Sequence, residues 1–494
     1  MVSAVKHPGE QTPTEPNVLS TSAAGPAVVR GATLRIGSFL AGSLFSVVAV
    51  ALLFRHLGVI DTGRYTTAMS LSAVVTGLTD LGLTGVGLRE LSVLRGEQRA
   101  AFTRNLLGMR MVFAGVGVLL VTAFAFAAYG PLLGVGVLIA CGGVLIQNTQ
   151  GILAVSLAVR LRLGWLSALE LARLLVTAGT IVLLVLLGAH LLAFLAVTAV
   201  ASSIVLVPTI ALVRGDIPLR PAFDPRRWRA LITPMLTYSA AALTATLYLR
   251  VAVVLVSLLC SPHQLGYFSV SYRVVENLFT LSGLLVGSAF PLFAHTAQGD
   301  PARFAYVISR AFDSALIMGV WISLSLIVGA RLAIEVIAGA RFLPAAPVLA
   351  VQGLAVAAVF VNAVWGCALL SLHLHRVILV LNLTLLALVG IAVAVVAPLY
   401  GAQGTAVATA SVEIAAAIAG AILLVHSRAH LRPSLRVLPK VALAAAIGAT
   451  PMLLTGAPVV GRLALSTCLY AAVLLWRGAL PSDLGELLRP RTGG

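Results

Sequence analysis

The chain has 494 residues, of which 60% are hydrophobic and only 10% charged, and its mean hydropathy is +1.05. Soluble domains carry about 25% charged residues, so this composition excludes an ordinary soluble enzyme and describes a polytopic membrane protein. The net charge of +17 does not mark a nucleic-acid partner, because the basic residues are sorted by topology and the few aromatics are too scattered for a base-stacking platform.

Residues 1–29 are polar and rich in Pro, Thr, Ser and Glu. They lack a basic stretch feeding a short apolar core, so they are not read as a cleaved signal peptide. A disordered cytoplasmic tail is expected there, because so little apolar surface cannot offset the entropy of folding. Apolar segments follow at residues 31–53, 64–88, 107–128, 132–156, 166–187, 189–212, 231–259, 266–292, 306–330, 345–370, 377–399, 402–427, 439–455 and 459–477. A crossing needs roughly 20 apolar residues, so these predict about fourteen membrane helices and an all-α fold. The expected organisation is two six-helix bundles, 30–213 and 231–428, with two further helices and a cytoplasmic tail in 429–494. Between the bundles, the cytoplasmic linker RGDIPLRPAFDPRRWRA (214–230) holds three helix-breaking prolines. Trp228 among arginines suits a headgroup surface, which makes the linker a basic tether, with a gating or partner role as the second reading.

Arg and Lys placement orients the helices. With the N-terminus inside, about 25 of the 33 basic residues fall in cytoplasmic loops and tails and about 5 in outer loops, a strong positive-inside bias. Both termini are then cytoplasmic, in a bacterial inner membrane whose anionic lipids answer the positive charge. The two lysines, Lys6 and Lys440, follow no GxxxxG loop, so there is no P-loop and no built-in ATPase. Four dispersed cysteines have neither zinc nor disulfide spacing, and His373 with His375 lacks a third ligand; neither metal nor cofactor is implied. The longest outer loop expected is 331–344, too small for a catalytic domain.

A weak internal repeat links the halves. An apolar helix end, an outer turn and Gly63-Arg64-Tyr65 in the first half match an apolar helix end, Ser261-Pro262 and Gly266-Tyr267-Phe268 in the second. Together with Leu57-Gly58, Asp80-Leu81-Gly82, Arg89-Glu90 and Phe290-Pro291, the pattern resembles the polysaccharide-export flippases of the MOP (multidrug/oligosaccharidyl-lipid/polysaccharide) superfamily. The resemblance covers nearly the whole length. It implies a flippase for polyprenyl-pyrophosphate-linked oligosaccharide, working by alternating access, with glycan polymerase or glycosyltransferases of the same pathway as partners. A cation-coupled multidrug-type antiporter and a lipid II flippase are the rival readings within the superfamily. Where many relatives look as though they carry an acidic residue after Arg250, this chain has Val251-Ala252, so a charge pair within that helix is absent.

The intramembrane polar residues are few. Arg250 and Arg273 lie about ten and eight residues from the expected outer ends of adjacent helices, hence at matching depth. Two guanidinium forks there would suit a pyrophosphate. Arg273 can instead pair with Glu276 one turn along, whereas Arg250 has no partner nearby in sequence. Arg35 either snorkels to the cytoplasm or lines the inner mouth of the cavity. Asp80, Asp313 and Glu413 have no sequence-local partner and are candidates for proton or sodium coupling, helix capping or interhelical bonding being the alternative. Asn277, like Gln147, Asn148 and Gln150, would either bond sugar hydroxyls or join helices. Glu170 and Arg173 are expected to pair with each other.

Overall fold

The computed structural model describes residues 24–80, 96–159, 162–214, 221–232, 236–427, 435–454 and 456–479. Most of the expected N- and C-terminal tails, together with Leu81, Gly82, Arg89 and Glu90 of the motif, lie outside the described residues. So do the side chains of Arg35 and Asp80, although both positions are helical.

The first element, α1 (Ala24–Asp80), runs 57 residues and contains one non-helical position, Gly58, at φ 72° and ψ −176°. At 1.5 Å per residue a straight helix of that length would reach about 85 Å, twice a bilayer with its headgroups. The chain therefore breaks where a residue without Cβ permits a positive φ. Next come α2 (Gly96–Tyr129), α3 (Pro131–Val159), α4 (Leu163–Leu186), α5 (Leu191–Leu195) and α6 (Val197–Val213). The short α7 (Pro225–Ile232) precedes α8 (Leu236–Leu259), α9 (Pro262–Ser288), α10 (Phe290–Gly299) and α11 (Pro301–Ala338). After a 3-10 turn at Ala340–Ala345 follow α12 (Ala346–Ser371), α13 (His375–Ser427), α14 (Leu438–Ala449) and α15 (Val459–Trp476). The fold is all-α, with no strand among the described residues.

Eleven of these helical stretches, or twelve when the bent pair α9 and α10 counts as one, are long and apolar enough to cross a membrane. The difference from fourteen separate helices has a physical cause. α1 and α13 each hold two of the expected segments without a loop, divided by Gly58 in one and by Gly401 (φ 58°) in the other. The expected outer loop at 331–344 is not a loop. α11 continues to Ala338 and the 3-10 turn carries the chain into α12. Arg55 donates from Nη2 to the carbonyls of Glu335 (3.2 Å) and Val336 (2.6 Å), so a cation satisfies the open C-terminal end of α11.

In the first half, α1 packs on α2, α3 and α4; in the second, α12 packs on α11 and α13, and α13 on α8. The halves meet where α1 lies against α8 and α9. There the two repeat glycines touch. A Cβ on Gly266 would stand 2.2 Å from the Val59 carbonyl, and one on Gly63 would stand 2.8 Å from Leu265 and 3.1 Å from the Gly266 nitrogen. Tyr129 and Ser257 share a hydrogen bond of 2.6 Å across the same seam. An apolar cluster of Leu53, Phe54, Phe194, Val270, Ile334 and Phe342 closes this end.

The described part of the linker, from residue 221 on, is tied to the first half. The Ala222 amide donates to the Arg104 carbonyl at 2.9 Å. Pro225 starts α7, and Trp228 packs on the buried cluster of Leu106, Leu107, Met109 and Ile152. Pro221 lies outside any helix, whereas Pro225 opens one, because proline is tolerated in a first helical turn.

Candidate functional site

Mid-membrane charges are costly unless paired, and the central finding is how this chain pairs them. Arg250, on α8, donates from Nη2 to Glu276 Oε1 at 2.5 Å. Arg273, one turn from Glu276 on α9, donates from Nη1 to Glu276 Oε2 at 2.8 Å. One carboxylate thus holds two guanidinium groups and leaves the trio with net charge +1. Arg250, which has no partner nearby in sequence, finds one across the helix pair. Its carboxylate comes from the neighbouring helix, which sequence separation hid. The Arg273–Glu276 pairing is present as well, so self-pairing and juxtaposition with Arg250 occur together.

The trio lies at the seam between halves. Tyr65, in the first repeat motif, stands within electrostatic reach of Arg273. The Arg273 side chain keeps 42% of its surface open, against 22% for Arg250 and 17% for Glu276. Arg273 is therefore the member most available to an incoming anion.

A second polar centre lies deeper in the same half. Glu413, on α13, is only 7% exposed. Its Oε1 accepts from the Tyr248 hydroxyl at 2.5 Å, and its Oε2 accepts from Asn362 Nδ2 at 2.9 Å. Asn362 also donates to the Glu413 carbonyl at 3.2 Å, which ties α12 to α13. Tyr272, on α9, donates to the Leu249 carbonyl on α8 and stands electrostatically between Arg250, Glu276 and Glu413. It spans the space between the two centres. A cavity of about 50 Å³ adjoins Glu413 and is lined by Tyr248, Tyr272, Gln352 and Thr409. Gln352 Oε1 is buried without a hydrogen-bond partner.

Among the candidates whose side chains are described, Asp313 and Asn277 are not in this site. Asp313, on α11, stands near Arg310 and Lys440, beside the C-terminal helix pair, and its Oδ1 is buried without a hydrogen bond. Asn277, on α9, is exposed. Asn148 donates to Thr79 at 2.7 Å, an interhelical bond of the expected kind. Glu170 and Arg173 pair with each other, as expected. Sequence reasoning passed over Tyr248, Tyr272, Asn362 and Gln352. A usable signal existed, since a tyrosine hydroxyl or an amide in mid-helix requires a partner. Its partner was not legible.

A family model described as "Polysaccharide biosynthesis protein" matches residues 52–347. The chain belongs to this family. Among solved structures, it is similar to "Lipid II flippase MurJ, inward closed conformation" at 14% identity and TM-score 0.75, covering 90% of this chain and 99% of that one. It is also similar to the MATE multidrug transporter DinF-BH, at 15% identity and TM-score 0.60, covering 83% and 97%. A multidrug-resistance MATE family transporter of the MOP superfamily, in an inward-facing conformation, matches at 12% identity and TM-score 0.54, covering 81% and 98%. No curated protein matches by sequence. Family and fold together make this a multi-pass membrane protein of the polysaccharide biosynthesis family, with a fold shared by solved flippases and transporters.

Proposed function

We propose that this member of the family moves a polyprenyl-pyrophosphate-linked oligosaccharide across the bacterial cytoplasmic membrane for cell-surface polysaccharide assembly. The observation that carries the reading is the Arg250–Glu276–Arg273 trio at the seam. Two planar forks held on one carboxylate are spaced to share a second anion, and guanidinium groups match phosphate oxygens in pairs. Pyrophosphate oxygens entering along the open side of Arg273 would compete with Glu276 for both forks. Glu276 thus keeps the arginines positioned and charge-balanced before loading, and offers a return partner when the headgroup leaves. The polyprenyl tail stays in the lipid while the halves rock about the trio.

Glu413 is assigned the coupling role, taking a proton or sodium ion. Moving one charge across about 100 mV is worth roughly 2.3 kcal/mol, so an anionic headgroup needs either such coupling or a sink outside. This reading puts Arg35 at the inner mouth and keeps Asp80 as a further candidate for coupling. The division at 214–230, cytoplasmic termini, and a polymerase or glycosyltransferase partner belong to the same proposal. A drug antiporter is favoured by the aromatic and acidic cavity beside Glu413. Its size argues against that: about 50 Å³ holds an ion or a water or two, whereas ligand pockets run to about 300–1,000 Å³.

The test is translocation of a fluorescent lipid-linked oligosaccharide by the full chain in vesicles. Arg250→Ala and Arg273→Ala should each lower the rate at least tenfold, the loss of one charge-assisted bond, with an unchanged melting profile. Full rates in both single variants and the double variant would sink the assignment. Efflux of cationic drugs with no lipid-linked sugar movement would favour the antiporter.

A further inference from the structure

A second basic position, Arg310, lies on α11 and outside the trio at the seam. α9 and α10 meet at Ala289 with a bend of 47°. Pro291 at the start of α10 explains the bend, because it has no N–H to continue the ladder and its ring crowds the preceding turn. Between the bent pair and α11 lies a groove of about 390 Å³. Its floor is Phe293 and Phe360, both fully buried, and its rim is the exposed Leu292, Tyr306 and Met318.

Arg310 stands at this groove. It donates from Nε to the Tyr306 hydroxyl at 3.1 Å and lies 5.5 Å from the centre of that ring. The nearby carboxylate, Asp313, answers both Arg310 and Lys440, so the three keep a net positive charge. Arg303 lies two turns earlier on the same face of α11. The roughly 20 residues between Arg310 and Arg331 carry one charge, Asp313, and span about 30 Å, the thickness of the hydrocarbon core. This sets Arg310 and Tyr306 at headgroup level, where aromatic residues and snorkelling cations belong. The apolar groove runs from there toward the core.

The geometry points to a binding site for one anionic phospholipid: the phosphate on Arg310, an acyl chain along Phe293 and Phe360. An acyl chain fits the apolar floor, and a phosphate fits the positive net charge at the mouth. Charge placement assigns this end of α11 to the cytoplasmic leaflet, where anionic lipids gather. The bound chain fills the wedge at the α9–α10 bend and so braces the helix that carries Arg273 and Glu276. The site stands whether or not the cargo is a lipid-linked sugar.

The full-length protein is equilibrated in mild detergent with phosphatidylglycerol and phosphatidylcholine of identical chains, and retained lipid is read by native mass spectrometry. The wild type should retain one phosphatidylglycerol, favoured about tenfold, as one charge-assisted bond predicts. Arg310→Gln should lose the preference. Ser314→Trp, at an exposed groove position, should lose the lipid with Arg310 intact. Equal retention of the two lipids by the wild type overturns the site, as does an unchanged preference in Arg310→Gln. Retention by a folded Ser314→Trp shows a phosphate contact without the groove and also overturns it. Displacement of phosphatidylglycerol by an equimolar polyprenyl phosphate would reassign the groove to the carried lipid.

Discussion

Glu276 and Glu413 are two buried carboxylates treated differently by their surroundings. Glu276 faces two permanent cations as part of the trio. Glu413 faces two neutral donors, Tyr248 and Asn362, and can give up its charge without leaving a cation alone. That contrast is the reason for assigning anion handling to one and ion coupling to the other. Glu413→Gln should keep the fold and lose the response of transport to an imposed proton or sodium gradient across the vesicle. An unchanged gradient response would remove Glu413 from the coupling role. Glu413→Ala orphans two buried donors and should cost about 2–5 kcal/mol, read as a lowered melting temperature. Arg273→Lys keeps the charge but loses the fork, so it should transport more slowly than wild type and faster than Arg273→Ala.

Among the elements, α1 and α9 depend on a close approach that only glycine allows. Gly266 presses on the Val59 carbonyl, a backbone atom that cannot rotate aside. Gly266→Ala should therefore destabilise the protein by about 1–3 kcal/mol. Gly115, which has open space where a Cβ would go, is the control. Gly115→Ala should be neutral or stabilising, since alanine is the better helix former. Thermal unfolding of both variants in one detergent checks the pair, and equal shifts would mean that the crossing is not tight. Gly58 and Gly401 act differently, supplying positive φ where one helix must become two crossings.

At the level of the whole molecule, the seam is closed at the end that carries Gly63, Gly266 and the Arg55 contact with α11. Alternating access requires that this end open. Cysteines at Tyr129 and Ser257, introduced after replacing the four native cysteines and joined by a short thiol crosslinker, should stop transport. A reducible linker should restore it on reduction. Continued transport with the link in place would exclude opening at that end. Fourteen apolar segments were legible in the chain, and so was the very short turn at 399–402; that α1 stays helical through the polar stretch around Gly58 was not, because one positive-φ glycine turns the axis without a loop. The Arg273–Glu276 pair was legible at one helical turn. The partner of Arg250 was not legible, because it lies 26 positions away and meets it only when α8 packs on α9.

Composition and hydropathy by themselves determined that this protein is helical and crosses a membrane many times, since a bilayer admits few other solutions for so apolar a chain. Motif order determined the superfamily it resembles. Which buried charge answers which was decided only by the tertiary structure. The energy of an intramembrane charge depends on neighbours within a few ångströms, and packing between helices, not distance along the chain, supplies those neighbours.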